Sequence, residues 1–262
     1  MIEELAVLFP DGPGDHVLST PLPVGRPVTP EDGGPPVCWV SDGAAPAGLW
    51  ATLRAEHPRS GLWPLLVGGH YTDLERPWRC GEVYPADMTA PSQHDPAELL
   101  ARWWSEVAGD TSTTLAAPYQ AWPGLAPGRS GADPDECADE HAELMVEFGD
   151  ELGIALVLAG SGAEALAVSG WSGPLNHVND TGQIAAVVAS WEQRFGARVI
   201  GADFATLYLS VAAPPTSVEQ ALPIAAEHFA FCPDNIWQSD LNTLEKYAQA
   251  LAGTHSWSSW WD

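Results

Sequence analysis

The chain has 262 residues, of which 45% are hydrophobic and 13 are Trp, so it carries ample apolar surface for a packed core and is not disordered over most of its length. Thirty-five Asp and Glu stand against ten Lys and Arg, a net charge of -25. That charge repels phosphate backbones and anionic lipid, which argues against nucleic acid or membrane and leaves a basic protein as the favoured partner, unless it serves solubility alone.

Residues 1–36 are rich in Pro, Gly and Asp and read as loops with one or two strands. Glu3 and Glu4 occupy the place where a secretory leader is basic, and no run approaches the roughly 18 apolar residues of a membrane span, so a cytoplasmic location is expected. Leu49, Trp50 and Leu53 mark a short amphipathic helix over residues 48–57, stopped by Pro58, whose ring removes a donor and crowds the preceding turn. The apolar run 61–67, bounded by Gly68 and Gly69, suits a buried strand. Asp95 as N-cap and Pro96 at the first helical position start a helix reaching about residue 108. Its buried stripe is Leu99, Leu100, Trp103, Trp104 and Val107, and Gly109 closes it. Between residues 118 and 134 Pro and Gly dominate and periodicity vanishes. Residues 123–136 are therefore assigned as a linker between an N-terminal domain, 1–122, and a C-terminal domain, 137–262.

Beyond the linker, residues 135–152 form an acidic helix and 154–159 a strand. Ile184, Val187, Val188, Trp191 and Phe195 place a helix over 180–195, with Gly196 as its C-cap. Two strands, 197–201 and 206–212, make a hairpin, and the second alternates Leu207, Leu209 and Val211 with Tyr208 and Ser210. Thr216 and Glu219 resemble a capping box for a helix reaching about residue 230, which Pro223 kinks or delays. A further helix spans 241–251, stopped by Gly253. The terminal WSSWWD closes as a strand with Trp257 and Trp261 on one face. The expected fold is α+β: a C-terminal domain with a mainly antiparallel sheet packed by helices, and a smaller α+β N-terminal domain.

The runs WSGPLN, SWEQRFGARVIG, DFATLYLSVAAPP, AEHFAFCPDNIWQ, TLEKYAQAL and WSSWWD, in this order, resemble the bacterial domain-of-unknown-function family 4253 over roughly residues 166–262. The GLWPLL and YQAWPGLAPG segments are similar to the amino-terminal portion that accompanies this domain in actinobacteria. Pro223 and Ser259 depart from the pattern, where an aliphatic and an aromatic residue are expected. The resemblance implies no activity, and no catalytic residue or cofactor follows from it.

The densest reactive cluster is Glu227, His228, Cys232 and Asp234. His228 and Cys232 are four apart and share a helix face, so a thiolate beside an imidazole oriented by Asp234 or Glu227 would make a nucleophile for a hydrolase or transferase. The plainer reading is a helix end where His228 caps carbonyls and Cys232 packs as a small hydrophobe. Cys137 and His141 repeat the spacing, and two such pairs would complete a tetrahedral zinc site in a zinc-stabilised module if the helices met. The four cysteines, Cys38, Cys80, Cys137 and Cys232, include no CxxC pair and are expected to be reduced thiols. Trp191 is expected in the core, Arg194 tied to a carboxylate, and Trp260 and Trp261 offer either core packing or a binding surface. Phosphate-loop, dinucleotide, HExxH and GxSxG motifs are absent, and Gly160-Ser161-Gly162 is too short to cradle a nucleotide. The expected function is a non-enzymatic acidic interaction protein, such as an immunity or regulatory protein, that binds a basic partner.

Overall fold

The structure, a computed structural model, describes residues 3–68, 75–110, 116–149 and 151–262. Its frame is one seven-stranded sheet in the order β1-β2-β4-β3-β5-β6-β7. The strands are β1 (Gly25–Val28), β2 (Cys38–Ser41), β3 (Leu62–Val67), β4 (Gly153–Leu158), β5 (Ala197–Ala202), β6 (Thr206–Val211) and β7 (Ser256–Trp260). Every pairing is antiparallel except that of β3 with β5. The molecule is thus α+β with a mainly antiparallel sheet. The helices are α1 (Glu3–Ala6), α2 (Leu49–Ser60), α3 (Pro96–Asp110), α4 (Pro134–Phe148), α5 (Gly162–Ser169), α6 (Thr181–Phe195), α7 (Val218–Phe231), α8 (Asp234–Trp237) and α9 (Leu244–Leu251).

Strand alternation sorts the side chains into two cores. Leu62, Leu66, Ile154, Leu156 and Ile200 face the layer built by α1, α2 and α4. Trp63, Leu65, Ala155, Val157, Val199 and Leu209 face the layer of α3, α5, α6, α7 and α9. Because helices cover both faces, β3 and β4 read as continuous apolar runs rather than alternating ones.

The expected division at residues 123–136 is not a division of the sheet. β3, from the N-terminal side, lies between β4 and β5, both from the C-terminal side. Close approach at this seam requires Gly201, where a Cβ would collide with the Leu66 carbonyl. β5 joins β3 only at Leu66 and Val67, so beside Pro64 no ladder is made with β5 and its missing donor costs little. Tryptophan indoles serve the backbone there instead. Trp63 donates to the Val199 carbonyl, Trp50 to those of Ile200 and Pro64, and Trp78 to that of Ala202. Residues 123–136, expected as a linker, form a strap: Arg129 N donates to Arg194 O and Ala132 N to Ala212 O.

Several element boundaries shift for local reasons. Pro58 lies inside α2, which runs on to Ser60 and closes at Gly61 in a left-handed turn; so near the helix end, the lost donor interrupts little. Gly109 sits within α3, and Gly69 lies outside the described residues. Asp133, not residue 135, opens α4 by accepting from the Asp135 and Glu136 amides, and Gly149 ends it, short of the expected residue 152. The α7 cap is Ser217 with Gln220, one residue beyond the expected Thr216 and Glu219 pair: Ser217 accepts from Gln220 N, and Gln220 Oε1 from Thr216 N. Pro223 lies inside that helix, which already starts at Val218, so it does not delay the start. Thr243 caps α9, so residues 241–243 are outside it. α1, β2, α5 and α8 are not among the expected elements; α5 is buried nearly all round by Ala163, Ala165, Leu166 and Ala167, and so shows no amphipathic period.

Candidate functional site

Glu227 and Arg194 meet across the α6–α7 interface. α6 is held by its Asp180 cap and closed by Gly196, so Trp191 and Arg194 project from its last turns toward α7. The Glu227 carboxylate is fully buried and accepts four hydrogen bonds. Arg194 Nη1 and Nη2 donate to Oε1 and Oε2 at 2.8 and 2.6 Å, Trp191 Nε1 to Oε2 at 2.7 Å, and the Ala126 amide to Oε1 at 2.6 Å. Arg194 also donates to the Ala126 carbonyl and to Ser190 Oγ, and its guanidinium lies 4.8 Å from the Phe195 ring centroid. Such a bidentate pair with all four acceptor positions filled has no lone pair left for a substrate. Its geometry clamps the strap, through both polar groups of Ala126, onto α6 and α7.

His228 and Cys232 do not form a dyad. The His228 ring is enclosed by Trp191, Trp257 and Tyr247, with centroids at 4.9, 4.6 and 5.8 Å. Its Nδ1 meets Tyr247 Oη at 3.1 Å, and Nε2 has no hydrogen-bond partner among the described residues. Burial, aided by the nearby Arg194 charge, pushes the imidazole down to about 3, so it is neutral at ordinary pH. Cys232 Sγ instead donates to the Trp260 carbonyl at 3.0 Å, and burial pushes its thiol far above the usual range, opposite to a nucleophile's requirement. The plainer reading of Cys232 as packed interior matches this geometry. His228 does not cap carbonyls; it pairs with Tyr247. Asp234 lies in α8 and accepts from the Gln238 side chain and the Asp262 amide.

At the end of the sheet, Trp257 and Trp261 are buried and Trp260 is 40% exposed. Asn235 bonds both to Ser258 O and Trp260 N, covering the otherwise open edge of β7 with a side-chain amide.

The second Cys–His pair reaches the surface. Cys137 and His141 line a groove of about 690 Å3 between α4 and residues 254–256. Glu140, Leu144, Met145 and Phe148 complete its α4 wall. His141 Nε2 lies 3.4 Å from Ser256 Oγ, and burial lowers its imidazole. With His228 and Cys232 in the interior and this pair in a surface groove, the two pairs do not converge on a zinc ion. Among the described residues no three His, Cys, Asp or Glu side chains are grouped to hold a metal.

This groove is not among the expected sites, although α4 carries its signal. Ala138 and Ala142 face the core, Cys137, His141, Leu144 and Phe148 form a second stripe at helical spacing, and Glu136, Glu140, Glu143 and Glu147 form a third. Leu144 is 55% and Phe148 74% exposed, large apolar groups that a helix with one buried face does not need. On the far side Arg54 holds Asp135 and Asp139, and Arg198 holds Asp135, so those carboxylates are matched internally.

Residues 153–262 match the family model of a domain of unknown function, DUF4253. The match starts at the first residue of β4, upstream of the expected residue 166. The DUF4253 stretch supplies β4, β5, β6 and β7, yet β3 from outside it separates β4 from β5. The stretch therefore completes its sheet only with a strand of the preceding sequence. No curated protein and no solved structure matches the chain. Among the described residues no helix is long and apolar enough to cross a membrane.

Proposed function

We propose that the protein is a non-enzymatic binding protein whose α4 groove takes an amphipathic, basic helix of a partner protein. The observation that carries this reading is the pairing of stripes on α4: exposed Leu144 and Phe148 beside Glu136, Glu140 and Glu147. An apolar helix face fills the groove, and Lys or Arg next to that face meets the carboxylates. The net charge of -25 adds long-range attraction for such a partner. A second copy of this chain is the poorer occupant, because it would set acidic stripes against each other. An immunity or regulatory protein that sequesters a basic partner uses this surface chemistry. The interior placement of His228 and Cys232 leaves the hydrolase or transferase reading without an accessible nucleophile.

A labelled synthetic peptide with a Leu face flanked by Lys, titrated by fluorescence anisotropy, tests the proposal. The peptide binds, its affinity falls as salt is raised, and Phe148→Ser or Leu144→Ser weakens it about tenfold. A sequence-scrambled peptide of equal charge binds less. Absence of binding overturns the reading. So does binding that ignores both substitutions, or self-association through α4 seen by sedimentation.

A further inference from the structure

We propose that a second cavity, at the Trp260 end of β7, binds an organic cation of the alkylammonium class. It encloses about 610 Å3, the size of a small-molecule site. This inference does not depend on the α4 groove. The groove touches β7 at Ser256 and the cavity touches it at Trp260, four residues or about 13 Å along the strand.

The walls are aromatic. Tyr84, Phe204, Trp260 and Trp261 line the cavity, and Trp260 keeps its ring partly in solvent although the alternate residues of the strand turn inward. Carboxylates stand among them: Glu82, Asp203 and Asp262. Asp203 is fixed in place, Oδ1 accepting from the Ala205 and Thr206 amides and Oδ2 from Tyr208 Oη. Burial and then the charges of Glu82, Glu31 and Asp32 raise the Tyr84 phenol, a sign of negative potential at this wall.

The protein already displays the recognition mode with a cation of its own. The Arg76 guanidinium lies 5.2 Å from the Phe204 ring centroid and pairs with Glu82, so an aromatic face and a carboxylate hold one positive group together. Glu82 offsets the Arg76 charge, leaving Asp203 and Asp262 to balance a bound cation. Aromatic faces attract a methylated ammonium through the ring quadrupole, and its methyl groups accept desolvation that a bare ammonium resists. An anion would instead meet the carboxylates.

Two sources offer this chemistry, a free small molecule and a methylated lysine on another protein. The experiment titrates the full chain with choline, with choline's neutral tert-butyl isostere, and with a trimethyllysine peptide beside its unmodified form, following tryptophan fluorescence and calorimetry. At least one of the two cations binds. The neutral isostere or the unmodified peptide binds about tenfold more weakly, and Trp260→Ala costs a similar factor. Asp262→Asn, an exposed change of charge alone, weakens binding by a smaller factor and guards against a folding defect in Trp260→Ala. Choline binding alone assigns a free ligand, and peptide binding alone assigns a protein-borne one. The proposal falls if neither cation binds, or if the neutral isostere binds as well as choline.

Discussion

Two helices each carry a Cys and a His four residues apart, and the fold treats them oppositely. α7 lies against α3 and α9 and meets α6 through the Glu227 carboxylate, and every residue from Ile224 to Phe231 is buried. α4 lies on the other side of the sheet with only Ala138 and Ala142 buried. Spacing makes two side chains neighbours on a helix face, but neighbours in tertiary space decide whether that face becomes interior or surface. In α7 the outcome is a neutral imidazole and a protonated thiol held by structural partners; in α4 it is an open groove beside unmatched acid.

The largest expected effect breaks the buried side of this contrast. Glu227→Ala leaves Arg194, Trp191 Nε1 and the Ala126 amide without their acceptor, and removing one partner of a buried pair costs about 3–5 kcal/mol. Denaturant unfolding measures it, and the Arg194→Ala, Glu227→Ala double variant loses less than the sum of the single changes. A loss within about 0.5 kcal/mol, the range of ordinary surface changes, would show that the clamp does not hold the strap.

The next effect is on pH dependence. His228 titrates near 6.5 when unfolded and about 3 when folded, so between these values the unfolded chain binds the extra proton. Its contribution is fully present above 6.5 and is lost as pH falls toward 3. His228→Phe flattens this part of the stability profile. Glu192, which burial lifts from 4.5 to about 7, has the opposite sign: the folded chain holds its proton longer, so stability is lost as pH rises from 4.5 through 7. Glu192→Gln therefore raises the midpoint at pH values above 7 relative to the parent and leaves it unchanged well below 4.5. Parallel profiles for parent and variants would refute both assignments.

The smallest effects sharpen the surface side. Phe148→Ser and Leu144→Ser change stability by no more than about 0.5 kcal/mol, as exposed residues do, while they weaken the peptide titration. Thiol labelling separates the helices without any substitution. Cys80, which is exposed, and then Cys137 react in the native protein; Cys38 and Cys232 react only on unfolding. Native labelling of Cys232 would contradict its burial.

Much of this architecture was legible in the residues. Asp95 before Pro96, Gly196 after Phe195 and the alternation around Leu207, Leu209 and Val211 state local backbone preferences that the fold obeys. Helix α5 was not legible, because a segment covered on nearly every side has no polar face to set a period. The clamp was half legible: a rare Arg in an acidic chain needs a carboxylate, but nothing local names Glu227, 33 positions away, as the partner. The groove was hidden for a related reason, since α4's apolar stripe looks like core until the absence of a covering element is known.

Composition, charge, helix and strand periods and capping residues are properties of neighbouring positions, and the sequence by itself determined them: an acidic α+β chain with a hairpin, an amphipathic α6 and a terminal aromatic strand. The insertion of β3 between β4 and β5, the strap across α6 and α7, and the full burial of one Cys–His pair while the other is half-buried at a surface groove depend on contacts distant in sequence. Those were decided by the tertiary structure, because a buried carboxylate and an uncovered apolar stripe are each defined by what packs against them, which no local pattern encodes.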